Sequence, residues 1–213
     1  MRFGVAESLE AVVAAWRLVY QSHRRGGLIE HNSFGVHTDP QAIGKHSAVV
    51  TGSIGGLCVT TLTAITDSPV GLPLDGTYSV ELDTWRGEGR RLMEVALVAD
   101  RRKQLVRANQ SLFQLMRFAF YFGSHQDITD FLVGVPARAA KFYARTFGFE
   151  LINSGTESNV LMRANVQCLM DQSPRHPMIE YFLSHRLDAD AFSNRFRFED
   201  MQLSETVLAA FGK

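Results

Sequence analysis

The apolar positions of this chain change period several times, and each change marks an element. Residues 2–6 (RFGVA) read as a short strand. Ser8 then caps a helix over residues 9–22, where Leu9, Val12, Val13, Trp16, Val19 and Tyr20 recur at helical spacing. Residues 23–46 are polar and rich in Gly and His. Connections of that length are uncommon inside compact domains and often functional. SAVVTG (47–52) and LCVTTLTAITDS (57–68) flank Gly55 and Gly56 with β-branched residues, which predicts a hairpin. The stretch DSPVGLPLDGTYSVELD (67–83), broken by Pro and Gly, is expected to wander before another extended piece. MEVALVAD (93–100) reads as a strand, and 101–122 as a helix with Leu105, Leu112, Leu115, Met116 and Ala119 on one face. ITDFLVGV (128–135) fits a buried strand and AAKFYARTF (139–147) a helix ended by Gly148. LINSG (151–155) and NVLMRANVQCLMD (159–171) suggest a closing pair of strands. Such mixed order argues for an α+β fold, one mixed sheet flanked by helices, over residues 1–174. Residues 175–213 read as a broken helical extension packed on the same domain. No Gly-rich loop follows the first strand, which speaks against a dinucleotide-binding domain.

Composition narrows the classes. Hydrophobic residues form 46% of the chain, enough for a substantial core. The 22 basic and 22 acidic side chains cancel, which removes the usual driver of nucleic-acid binding. No window holds the ~20 apolar residues of a membrane helix. Glu7 and Glu10 interrupt the N-terminus where a signal peptide needs an unbroken apolar core, so a cytoplasmic protein is expected. Cys58 and Cys168 lie in apolar runs and read as buried free thiols. His23, His31, His37 and His46 are too loosely spaced for a metal site and read as a polar loop lining a cleft; no metal is expected.

Several segments together resemble a known family. KFYARTFGFELI (141–152) is similar to the C-terminal signature of GNAT acyltransferases. WRLVYQSH followed by GGLIEHN (16–32) resembles the N-terminal helix and loop of bacterial N-acyl amino acid synthases. TDSPVGLPLDGTYSVELDTWRGEGRRLMEV (66–95) resembles that family's most distinctive block: an Asp-Ser pair, a Gly-Leu-Pro-x-Asp turn, a Glu strand, an Arg pair and a second Glu. NVQCLM (165–170) is similar to its last strand. The resemblance covers residues 2–171 and implies a GNAT fold related to the acyl-homoserine-lactone synthases. One departure is PARAA (136–140), where the family's His is absent near Ala139.

The implied activity is transfer of a long acyl chain from acyl-carrier protein to an amino acid or other small amine, with no tightly bound cofactor. Alternatives are an acyl-CoA donor with another amine acceptor, or a catalytically silent ligand-binding domain. Enzymes of this fold bind coenzyme A pyrophosphate in a Gly-rich loop at a helix N-terminus. Here that junction, ADRRKQLVRAN (99–109), holds no glycine. Its Arg101, Arg102, Lys103 and Arg107 suit contact with an acidic carrier protein. Amide formation needs a proton acceptor for the ammonium. Glu81 and Glu94 are the candidates, both expected on strands facing the cleft, with an ion pair of Glu94 to Arg90 or Arg91 as the alternative. The resemblance makes Tyr143 the residue that would protonate the leaving sulfur, unless it only packs. A backbone N–H on a strand would polarise the thioester. One of Arg86, Arg90 and Arg91 is expected to hold the acceptor carboxylate, with Tyr20 also on the substrate side. Tyr181, Phe182, Phe192, Phe196 and Phe198 would cover an acyl tunnel, make a subunit contact or complete the core.

Overall fold

The structure, a computed structural model, describes residues 1–101, 105–153, 159–171 and 177–197, and their side chains apart from those of residues 105–109 and 153. Its strands are β1 (Arg2–Val5), β2 (Ser47–Ile54), β3 (Leu57–Thr66), β4 (Leu92–Asp100), β5 (Asp130–Pro136), β6 (Glu150–Asn153) and β7 (Asn159–Asn165). The helices are α1 (Leu9–Arg25), α2 (Asp75–Gly87), α3 (Leu105–Ser124), α4 (Ala137–Phe147), α5 (Val166–Asp171) and α6 (Pro177–Ser184). One seven-stranded sheet runs in the order β1-β2-β3-β4-β5-β7-β6. Its neighbours are antiparallel except β4 and β5, which are parallel.

Strand alternation sorts the core into two faces. Met93, Val95, Phe131, Val133 and Met162 pack with α3, α4 and α6, whereas Leu92, Leu132 and Leu161 pack with α1 and α2. Burying leucines of this kind stabilises the fold by roughly 1.5–3 kcal/mol each. Ser8 caps α1 by accepting from the Ala11 N–H at 3.3 Å, and the helix runs three residues past the expected end at 22. Gly148, at φ 69°, ends α4 in the left-handed conformation.

Two expectations fail here. The predicted extended piece around Glu81 is the helix α2, which buries Tyr78, Leu82 and Trp85 at helical spacing. Its β-branched Thr77, Val80 and Thr84 suggest a strand, but packing of that apolar stripe on β5 and β7 decides. The similarity of residues 165–170 to a last strand also gives way, because β7 stops at Asn165 and α5 follows. Asn165 turns the chain: its Oδ1 accepts from the Cys168 N–H at 3.0 Å. Cys168 is exposed rather than buried, while Cys58 is a buried free thiol.

The described part of the C-terminal segment joins the main core. Met178, Ile179, Phe182 and Phe192 are buried with α3 and α4, and the Phe196 N–H donates to the Ala6 carbonyl at 2.8 Å. Phe198 lies outside the described residues. No described helix is long and apolar enough to cross a membrane.

Candidate active site

The centre of the sheet is interrupted twice in one place. Between the pairs Thr63–Ala96 and Thr61–Ala99, one residue of β3 faces two of β4, a β-bulge at Leu97 and Val98. Leu97 takes φ 52°, unusual for a residue with a side chain. On its other edge β4 pairs with β5 only through Leu92–Asp130, Met93–Phe131 and Glu94–Leu132. Beyond Glu94 the two strands part, which leaves backbone polar groups facing a V-shaped opening instead of a ladder. Gly134 is exposed in the parted half of β5, and a Cβ there would meet Leu74 Cδ2 at 2.9 Å.

Glu94 is the last paired residue before the opening. It is buried on the α1/α2 face, and its Oε2 accepts from the Leu74 N–H at 3.0 Å. Among the described residues it has no cationic partner, because Arg90 reaches Glu88 and Asp130 and Arg91 reaches Asp127. The ion-pair alternative is thereby excluded. Burial pushes its carboxyl up to about 8, helped by the negative charges of Asp39 and Asp75 and opposed by the Leu74 hydrogen bond.

The loop that carries Leu74 is held by Arg86. Its Nε donates to Asp67 Oδ2 at 2.6 Å, Nη1 to Asp75 Oδ1 at 2.7 Å and Asp83 Oδ1 at 2.8 Å, and Nη2 to Asp67 Oδ1 at 2.9 Å and Asp75 Oδ2 at 2.8 Å. A guanidinium has five N–H donors, so Arg86 has none left for an acceptor carboxylate and its expected role there gives way. Asp75 Oδ2 also accepts from the Leu72 N–H at 2.6 Å. Gly71 sits at φ 74° where a Cβ would stand 2.5 Å from that oxygen, so the turn requires glycine. The distinctive Gly-Leu-Pro-x-Asp block is thus a clamp that sets the N–H over Glu94.

Histidines and an aspartate stand on the α1 side of the bulge. His23 Nε2 lies 3.4 Å from the Val98 carbonyl, and its ring centroid is 5.5 Å from that of His37. Burial lowers the His23 pKa, with the Val98 contact opposing. Burial raises that of Asp39, with His37 and His23 opposing. Nearby, Tyr20, Gln21, Arg24, Arg25 and Arg101 line a surface pocket of about 490 Å³. Tyr20 is anchored there: its hydroxyl donates to the Asn32 carbonyl at 3.3 Å.

Near the start of β4, Arg86, Arg90, Arg91, His46, Asp67 and Ser68 line a second pocket of about 430 Å³. Tyr143 lies on the opposite face of the sheet from Glu94, its ring against Phe142, Phe147 and Phe149. Burial pushes its phenol up to about 12.

The family model for the N-acyl amino acid synthase FeeM matches residues 14–170. The chain belongs to this N-acyl amino acid synthase family. As a family member it is an N-acyltransferase of the GNAT fold. Its fold superposes on the structure of FeeM from uncultured soil microbes with a TM-score of 0.68 and 20% identity, over 84% of this chain and 96% of that one. A CoA-dependent acyl-homoserine lactone synthase, BjaI, matches with TM-score 0.58 and 10% identity, over 86% and 89% of the chains. An acyl-CoA N-acyltransferase from Pseudomonas aeruginosa matches with TM-score 0.54 and 15% identity, over 76% and 97%. Direct comparison with curated protein sequences gives no match.

Glu94 lies on β4 as its last residue paired with β5, whereas Glu81 is half-buried on α2 and not on a strand. Tyr20 and Arg101 share one pocket, and Arg90 and Arg91 share another. Arg102 and Lys103, with the Arg107 side chain, lie outside the described residues. Sequence reasoning missed Arg24, Arg25 and Asp39. The basic end of α1 and the single acid in the His-rich loop were the available signals.

Proposed function

We propose that this N-acyltransferase moves a long acyl chain from acyl-carrier protein to the amine of an amino acid. The observation that carries the reading is Glu94, a buried carboxyl without a cationic partner among the described residues, raised to about 8 beside the sheet opening. An amino acid arrives as an ammonium and must lose a proton before it attacks a thioester. A carboxyl raised to about 8 takes up that proton near neutral pH far better than an ordinary one. The amine then attacks the thioester carbon, and an N–H of the β4 bulge stabilises the oxyanion. Collapse breaks the C–S bond, giving the amide and the pantetheine thiol, with one proton released overall.

The donor arm enters the opening between β4 and β5. Arg24, Arg25 and Arg101 line one surface pocket beyond the end of β4, and three guanidinium groups there would suit the phosphate of a phosphopantetheine arm and the acidic face of a carrier protein. The glycine-free junction at 99–109 disfavours a coenzyme A pyrophosphate cradle. For the acceptor carboxylate, Arg90 and Arg91 remain, since the Arg90 guanidinium makes only long ion pairs of 3.7 and 3.9 Å among the described residues. Glu81 stays a subordinate candidate for the substrate side. An acyl-CoA donor is the second reading, favoured by the same three arginines, which would also receive its phosphates.

Turnover with matched carrier-bound and CoA-bound donors separates these readings. Reversing charge at Arg24, Arg25 and Arg101 should raise KM for the carrier-bound donor at least tenfold, about 1.4 kcal/mol. Equal efficiency with CoA and no sensitivity to these charges would reject the carrier protein. Lipid extracts of an expressing host should contain acylated amino acids missing from an empty-vector control.

A further inference from the structure

We propose that His23 and Thr60 are positioning residues that hold the β4 bulge in the orientation its oxyanion-stabilising N–H requires. The inference rests on the reading that an N–H of this bulge meets the developing oxyanion.

The bulge is an unfavourable piece of backbone by itself. In a regular ladder each residue of β4 would face one of β3, and its backbone groups would be spent on neighbouring strands. Here Thr61 pairs with Ala99 and Thr63 with Ala96, so Leu62 faces both Leu97 and Val98. Leu97 takes φ 52°, a costly conformation for a residue with a side chain. Such backbone persists only where its surroundings hold it.

Two side chains do so, from different elements. His23, in the last turn of α1, places Nε2 3.4 Å from the Val98 carbonyl. Thr60 Oγ1, on β3, donates to the Ala99 carbonyl at 3.1 Å. A carbonyl only accepts, so this contact fixes the proton of a neutral His23 on Nε2. Burial lowers the pKa of the ring, which favours that neutral form. A peptide unit is planar and trans. Holding the Val98 carbonyl therefore sets the direction of the Ala99 N–H, and holding the Ala99 carbonyl sets that of the Asp100 N–H. The two bonds together fix consecutive peptide planes where β4 no longer pairs with β5. The aim of an N–H at an oxyanion depends on such planes.

The braces are themselves held. The His23 ring stands 5.5 Å from that of His37, tilted by 56°, and the His37 N–H donates to the Trp16 carbonyl at 3.3 Å. The His23 carbonyl accepts from the Leu28 N–H at 2.9 Å in the turn that ends α1. Thr60 is only 1% exposed, so little water competes for its hydroxyl proton. Both residues act through the backbone of β4.

The test compares H23L, H23Q and H23N, and separately T60V and T60S, in the full chain. Gln carries an amide N–H close to the Nε2 position, whereas Asn stops short of it. T60V keeps the shape of the side chain without its hydroxyl, and T60S keeps the hydroxyl. The expected kcat is about 10- to 100-fold below wild type in H23L and T60V, less than the loss of an oxyanion donor outright. KM for both substrates stays within about twofold. H23Q and T60S recover most of the rate, and H23N does not. With isotope-labelled carbonyl carbons, the NMR signal of Val98 should move upfield in H23L and that of Ala99 in T60V, as each loses its hydrogen bond. Moved carbonyl signals beside wild-type kcat would reject the bulge as the oxyanion holder, and the inference with it. Unmoved signals would reject the brace and leave the oxyanion reading standing. H23Q as slow as H23L would reduce His23 to packing and overturn its part. Should H23L fail to fold, T60V and T60S decide by the same two measurements.

Discussion

The Leu74 N–H donates to Glu94 Oε2 at 3.0 Å, so among the described residues the one hydrogen bond on this carboxyl comes from a loop that another residue, Arg86, holds in place. The chemistry on the sheet and the clamp on α2 are therefore separable by substitution, and each makes its own prediction.

E94Q preserves shape and removes the proton acceptor. The expected loss in kcat is about 10²–10⁴-fold, or roughly 3–5 kcal/mol of barrier. Wild-type rate should rise with pH as the carboxyl raised to about 8 ionises. Stability moves the other way. A carboxyl raised from 4.5 in the unfolded chain to about 8 in the fold holds its stabilisation fully below the lower value and loses it as pH climbs through the upper one. The loss runs at up to about 1.4 kcal/mol per pH unit. Melting of E94Q should therefore be nearly flat over that window, where wild type declines. Parallel curves for the two proteins would remove the buried-acid account.

Arg86 predicts the reverse pattern. Replacing it with Met strands Asp67 and Asp75 beside each other and should cost about 2–3 kcal/mol, less than a fully buried pair because the side chain is 27% exposed. Urea unfolding measures this. R86K keeps the charge without the fork and should fall between. Normal stability with a raised acceptor KM would instead return Arg86 to the substrate.

Much of the fold was legible because alternation and helical spacing carry it: β4 around Glu94 and α4 up to Gly148 follow directly from their patterns. Helix α2 was not, since Pro73, Gly71 and three β-branched residues disguise a stripe of only Tyr78, Leu82 and Trp85. Glu94 could be chosen from its block, but its lack of a cation depends on where Arg90 and Arg91 turn, and that is set by Asp130 and Asp127 far along the chain. The role of Arg86 was hidden for the same reason, as Asp67 and Asp75 reach it only once the loop folds back. Arg24 and Arg25 meet Arg101 through the packing of α1 on the sheet, which no local pattern encodes.

Gly134 tests the opening itself. G134L places a side chain where a Cβ already meets Leu74 Cδ2 at 2.9 Å and fills the gap beside β4. Donor KM should rise about tenfold, or 1.4 kcal/mol, with acceptor KM unchanged. G134A should do little beyond shifting the end of a leucine side chain. An unaltered donor KM in G134L would place the donor elsewhere.

Tyr143 is the subtler case. Burial holds its phenol at about 12, so it keeps its proton throughout the working range. A free thiol ionises near 8.5, so full transfer from this phenol to a thiolate is uphill by several pH units. The role such a phenol would favour is a hydrogen bond to sulfur as negative charge develops. A hydrogen bond to a charged group contributes about 1.5–3 kcal/mol, so Y143F should lower kcat about 10- to 100-fold. The ring and its contacts with Phe147 and Phe149 remain, so melting should not change. If the residue were an obligate acid, the loss would be greatest with poor leaving groups and would vanish with activated aryl thioesters. A hydrogen bond alone predicts a shallow dependence on leaving-group acidity, and a purely packing residue predicts wild-type rates with every donor.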